Sequence, residues 1–172
     1  MRLFVAIQFS PEVCGHLLQA QDVLRAHGTG RFTPPDNFHV TLAFLGQTKR
    51  VEDAVRAMKQ ITARPFPAVV QGIGQFGNLY WAGVQLTPPL RALQTQICYL
   101  FDQNGFDLEA RDFIPHLTLC RKYRPEEDFS LMAAETALGQ SSCRIGQVVL
   151  MESLSEAGRM VYREIFSREL TE

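Results

Sequence analysis

One offset organises this chain. Adding 77 to a residue number in the first half aligns several features of the two halves without gaps. Ser10-Pro11 falls on Thr87-Pro88, Gly28 on Gly105, and His39-Val-Thr-Leu42 on His116-Leu-Thr-Leu119. Agreement of a helix cap, a glycine and a motif at one offset is better explained by duplication than by chance. At 172 residues the chain has the length of one domain, and residues 1–172 read as a single domain of two lobes. A pseudo-two-fold axis between the lobes would set equivalent strands opposite each other and bring His39 and His116 together.

Each half opens the same way. Leu3, Val5, Ile7 and Phe9 alternate along a strand, and Leu79 to Leu86 is its counterpart. Ser10 and Thr87 are N-cap residues, each followed by a proline at the first helical position. Leu90, Leu93, Ile97, Leu100 and Phe101 form a stripe at helical spacing, and Val13, Leu17, Ala20 and Leu24 a weaker one. Gly28 and Gly105 stand where a glycine ends a helix. A loop then leads to the strand that carries each motif. Val51 to Ile61 reads as a further helix and Phe66 to Phe76 as a strand. Arg144 to Leu154 and Arg159 to Phe166 read as two strands joined at Glu156-Ala-Gly158, and Pro125 to Gln140 as a loop with a short helix. The expected fold class is α+β: two pseudo-symmetric lobes, each a mostly antiparallel sheet with outer helices, and an active-site cleft between them.

Composition removes several classes. Apolar content of 46% and charged content of 20% describe a folded globular protein. A net charge of −1 lacks the basic excess of a protein that coats long nucleic acid, so any nucleic acid would be held as a short segment or an end. Cys14, Cys98, Cys120 and Cys143 match no zinc spacing and are expected as reduced thiols. No apolar run approaches a membrane span of about 20 residues. The N-terminus does not read as a signal peptide, so the expected location is cytoplasmic.

In a strand, residues i and i+2 share a face. His39 and Thr41 therefore point one way while Val40, Leu42 and Phe44 point the other; His116 and Thr118 oppose Leu117 and Leu119. The apolar face would anchor each strand and the polar face would look into the cleft. Imidazole gains and loses a proton near neutral pH. Two imidazoles flanking one atom can therefore serve as base and acid in a single in-line displacement, each contributing about 10²–10⁴-fold. The threonine hydroxyls can donate to non-bridging phosphate oxygens. His16 and His27 lack any such pattern and read as helix-surface residues. A zinc site is the rival for the histidine pair, but a catalytic zinc wants three protein ligands and neither motif offers a third.

The paired H-x-T-L strands, Arg2-Leu-Phe-Val-Ala-Ile7, Asn37-Phe-His-Val-Thr-Leu-Ala-Phe-Leu-Gly46 and Phe113-Ile-Pro-His-Leu-Thr-Leu-Cys-Arg121 resemble the RNA 2′,3′-cyclic phosphodiesterases. These are also called the bacterial 2′-5′ RNA ligase family of the 2H phosphoesterases. The resemblance covers nearly the whole chain, including Glu152-Ser153 and Gly158. It implies metal-free hydrolysis of RNA ends or nucleoside 2′,3′-cyclic phosphates to 2′-phosphates, without a cofactor. A monomer is the simplest assembly for such a chain. The resemblance also implies His39 as proton donor to the departing 3′ oxygen, His116 as the base that activates water, and a phosphate contact from Arg121. Strict alternation would turn Arg121 into the core, so that contact requires the strand to end or bulge first.

Lys49, Arg50, Arg121, Lys122 and Arg124 follow the motifs and suit either a basic rim or ordinary solvated surface. Phe44, Tyr80 and Trp81 are candidates to stack a base, although Phe44 and Trp81 fit a core role better. Two other functions suit the same residues. One is 2′-5′ joining of RNA ends, the same chemistry reversed; the other is a non-catalytic module that binds RNA ends. Hydrolysis is favoured because water is abundant and no nucleotide-activating P-loop is present.

Overall fold

The computed structural model describes residues 1–172. The chain runs β1 (Arg2–Ile7), α1 (Pro11–Ala26), β2 (Gly28–Phe32), β3 (Val40–Gln47), α2 (Val51–Lys59), β4 (Phe66–Phe76) and β5 (Leu79–Val84). It continues α3 (Pro88–Gln103), β6 (His116–Pro125), α4 (Leu131–Leu138), β7 (Gln140–Ile145), β8 (Gln147–Glu156) and β9 (Arg159–Glu169). Two antiparallel sheets form, one ordered β3-β1-β8-β9 and the other β2-β6-β5-β4-β7. Helices α2 and α3 cover the first sheet, α1 and α4 the second. The α+β class and the two helix-covered antiparallel sheets are those read from the sequence.

The expected offset reappears in the bounds of the elements. Strands β1 and β5, and helices α1 and α3, each begin and end 77 residues apart. The two sheets, however, are not the two halves of the sequence. Strand β4 lies beside β5 in the second sheet, and β8 beside β1 in the first. Helix α1 packs on β2, β6 and β7, whereas α3 packs on β3. Each half therefore lends a helix and two strands to the other half's sheet: α1, β2 and β4 in one direction, α3, β8 and β9 in the other.

Several local expectations change. The stretch from Arg144 to Leu154 is not one strand. It breaks at Gly146, with β7 ending in one sheet and β8 beginning in the other. Strand β2 occupies the loop expected before the first motif and has no counterpart before the second. Ser10 caps α1, its hydroxyl accepting from the Val13 amide at 3.3 Å. Thr87 takes the same backbone position at α3, but its buried hydroxyl makes no hydrogen bond. Gly105 follows α3 with φ +86, as a helix-ending glycine should. Gly28 follows α1 but is extended, and opens β2. It must be glycine for a different reason: a Cβ there would lie 2.5 Å from the Tyr123 ring and 2.6 Å from the Arg124 carbonyl.

One apolar core joins both sheets to their helices, with Leu3, Val5, Ile7 and Ile97 on one side and Leu117, Leu119 and Leu17 on the other. The opposite face of β1 is buried too, with Phe4 and Ala6 packed against Val149, Met151 and Tyr162. All four cysteines are unpaired, and no helix is long and apolar enough to cross a membrane.

Gly28→Ala tests the contact at the head of β2. The added methyl forces Tyr123 or the β6 backbone aside, so thermal or urea unfolding should show a loss of about 1–3 kcal/mol. Wild-type stability in this variant would show that the β2–β6 contact relaxes freely.

Candidate active site

Strands β3 and β6 belong to different sheets and come into contact. His39 immediately precedes β3, and His116 opens β6. Each imidazole is held by its own chain. The Nδ1 of His39 lies 2.7 Å from the Asn37 carbonyl, and the Nδ1 of His116 lies 2.7 Å from the Ile114 carbonyl. A carbonyl only accepts, so Nδ1 carries the hydrogen in both rings. Both Nε2 atoms are left as the nitrogens that can exchange a proton. The Nε2 of His39 sits 2.9 Å from the Thr41 hydroxyl; in the neutral ring this nitrogen accepts from that hydroxyl.

Aromatic rings surround both histidines. Phe4 lies 5.0 Å from His39 between ring centroids, with Tyr162 edge-on at 5.1 Å. Phe76 stands edge-on to His116 at 5.2 Å, and Trp81 lies at 5.8 Å. Phe4 and Trp81 are themselves 77 positions apart.

Burial holds His39 below its ordinary value of 6.5 because it disfavours the charged ring. The Asn37 carbonyl opposes this, and the positive charges of His116 and Arg121 add to the lowering. His116 and Arg121 are thus each within electrostatic reach of His39, although 77 and 82 residues separate them from it. Arg121 also acts on Tyr162, whose hydroxyl is raised mainly by burial and lowered by Arg121 and Arg2.

Of the two ways to free Arg121 from the core, the strand takes the second: β6 continues past it and bulges. Trp81 pairs with Thr118 and Tyr80 with Cys120, which leaves Leu119 as an extra residue on β6. Leu119 and Cys120 are both buried and Arg121 is exposed. Strand β3 repeats the device: Ala6 pairs with Thr41 and Val5 with Ala43, leaving Leu42 extra and Phe44 exposed. A helix glutamine meets each bulge. Gln21 of α1 is fully buried and donates to the carbonyls of Leu119, at 3.0 Å, and Thr33, at 2.9 Å. Gln94 of α3 donates to the Leu42 carbonyl at 3.4 Å.

Other expected participants fall elsewhere. Phe44 is 58% exposed and is no core residue, because the bulge turns it outward; Tyr80 is the buried member of the aromatic trio. Arg50 leaves the basic rim. Its guanidinium donates to the Gly105 and Asn104 carbonyls at 2.7 and 2.6 Å, closing the C-terminal end of α3. His16 is half-buried, with Nδ1 2.9 Å from the Leu138 carbonyl, and His27 pairs with Asp128 at 3.0 Å. Neither approaches the motifs. No three His, Cys, Asp or Glu side chains converge in a metal-binding arrangement anywhere in the chain. Sequence reasoning missed Tyr162, Gln21 and the carbonyls of Asn37 and Ile114. A carbonyl leaves no mark in a sequence, and Gln21 shows only as a polar residue beside an apolar stripe.

An NMR titration of the His39 ring should give a midpoint below 6.5. Arg121→Gln should raise it, because one repelling charge is gone, but only partly, because burial remains. The folded protein resists a proton that the unfolded chain accepts near pH 6.5, so His39 lowers stability as pH falls through that value and not above it. An ordinary midpoint, or one indifferent to Arg121, would contradict this electrostatic account.

A family model described as the 2′-5′ RNA ligase superfamily matches residues 9–156. A Methanothermobacter thermautotrophicus protein named RNA 2′,3′-cyclic phosphodiesterase is 31% identical, over 92% of this chain and 93% of that one. An Archaeoglobus fulgidus protein of the same name is 28% identical, over 72% and 74%. The crystal structure of E. coli LigT complexed with 3′-AMP shares the fold, with a TM-score of 0.81 at 24% identity and coverage of 99% and 98%. The family match across most of the chain and the near full-length relative show that this chain belongs to the 2′-5′ RNA ligase superfamily.

Proposed function

We propose that this chain is an RNA 2′,3′-cyclic phosphodiesterase that opens cyclic phosphate ends to 2′-phosphomonoesters by paired-histidine acid–base catalysis without a metal. The observation that carries this reading is the matched anchoring of the two imidazoles, each with Nδ1–H on a carbonyl two residues upstream, which leaves Nε2 as the nitrogen that can exchange a proton. The names shared by the relatives supply the substrate class.

In this mechanism His116 Nε2 takes a proton from water, whose oxygen attacks phosphorus in line with the 3′ oxygen. The bond from phosphorus to the 3′ oxygen breaks, and His39 Nε2 protonates that oxygen. The products are a 2′-phosphate and a free 3′-hydroxyl. Thr41 and Thr118 donate to the non-bridging oxygens, and the Arg121 guanidinium faces the same anion. Thr41 must exchange its contact with His39 for the phosphate. His39 must carry a proton to act as the acid, and the incoming anion favours that charged form. The domain reading belongs to the same proposal: one duplicated domain working as a cytoplasmic monomer on RNA ends.

A second reading reverses the histidines, because the lowered value of His39 suits a base at neutral pH. Reversible 2′-5′ joining would use the same geometry backwards, and a binding module would use it without turnover. His39→Ala and His116→Ala should each reduce hydrolysis of a nucleoside 2′,3′-cyclic phosphate by at least about 10²-fold, with the fold retained by circular dichroism and with excess chelator having no effect on wild type. A substrate with sulfur in place of the 3′ oxygen releases a thiolate that needs no proton. It should restore turnover to His39→Ala and not to His116→Ala. Rescue of His116→Ala instead would reverse the roles, and activity that disappears with chelator and returns with zinc would end the metal-free mechanism.

A further inference from the structure

Arg31 lies on β2, an edge strand of the second sheet, and pairs directly with Arg121 on β6. Residues directly opposite in an antiparallel pair share a face. The next pair, Phe32 with Cys120, faces the core, and a Cβ on Gly30 would strike the Cys120 sulfur at 2.4 Å. Arg31 and Arg121 therefore both project from the other face. Both are exposed, and neither has an ion-pair partner or a side-chain hydrogen bond in the chain. Like charges directly opposite each other disfavour the pairing of their strands, and an anion between them removes that penalty.

We propose that Arg31 binds the phosphodiester adjoining the terminal cyclic phosphate, so that the site favours the end of an RNA strand over a mononucleotide. This rests on the phosphodiesterase reading above. Arg121 marks the inner end of the track, because its charge reaches His39 and Tyr162. Arg31 marks the outer end, at the sheet edge. A guanidinium suits this task, because its planar fork can hold two phosphate oxygens at once. The track is short, in keeping with a chain whose net charge is −1.

The test compares wild type with Arg31→Gln on two substrates: a nucleoside 2′,3′-cyclic phosphate, and a dinucleotide ending in a 2′,3′-cyclic phosphate. The loss in kcat/KM should be about tenfold greater on the dinucleotide and should reside in KM. The slope of log KM against log salt should fall by about 0.7 for that substrate, the share of one single-strand phosphate contact. Arg31→Lys should recover part of the loss. Equal effects on both substrates, or none on either, would overturn the inference. Affinity for a non-cleavable dinucleotide with a terminal 3′-phosphate reads Arg31 without turnover. A protein inactive on both substrates would refute the phosphodiesterase reading, yet equal affinity of wild type and Arg31→Gln would still refute the role of Arg31.

Discussion

A β-strand shows only every second residue to one face, and the candidate site needs more than that rule allows. His116 and Thr118 comply with it, but Arg121 does not. On a regular strand its guanidinium would enter an apolar core with no carboxylate to meet it, at heavy desolvation cost. The extra residue at Leu119 shifts the alternation by one, so Leu119 and Cys120 are both buried and Arg121 emerges. The bulge does not stand alone. The fully buried Gln21 carboxamide donates to the Leu119 carbonyl and to that of Thr33, six residues before His39. One side chain thus ties the approach to the first motif to the bulge within the second.

Exchange of elements between the two halves explains why such ties exist. Helix α1 follows β1, the strand paired with β3, yet it covers the sheet that carries His116; α3 follows β5, the strand paired with β6, and covers the sheet that carries β3. Strands β2 and β4, and in return β8 and β9, exchange in the same sense. Neither half can bury its apolar faces alone, so core formation and site assembly are one event. The aromatic side chains around each imidazole follow from this arrangement. Strand β1 supplies Phe4 to His39 and β9 adds Tyr162, while β5 supplies Trp81 to His116 and β4 adds Phe76.

The symmetry is broken where specificity would need it. Both strands bulge at the leucine of the motif, so Phe44 and Arg121 occupy equivalent outward positions. One lobe shows an exposed ring there and the other a cation. His39 is the histidine that burial and neighbouring charges hold below its ordinary value, and its Nε2 already meets the Thr41 hydroxyl. Two similar motifs have thus acquired different electrostatic surroundings.

By itself the sequence determined the offset of 77, the paired motifs, the strand–helix openings and the α+β class. These are local or periodic properties: a cap, a proline, an alternation of apolar residues. For the Arg121 contact that the family resemblance implied, even the need for the strand to end or bulge first was legible, because strict alternation turns that position to the core. Only the tertiary structure decided which strand lies beside which, that the strand after Arg144 breaks at Gly146 and changes sheet, and that Gly28 yields to the Tyr123 ring and does not end a helix through a positive φ. It also decided that Phe44 faces outward and that Arg50 is taken up by the end of α3. Each of these turns on a partner distant in sequence, and pairing energy between distant segments leaves no periodic trace in the chain that carries it.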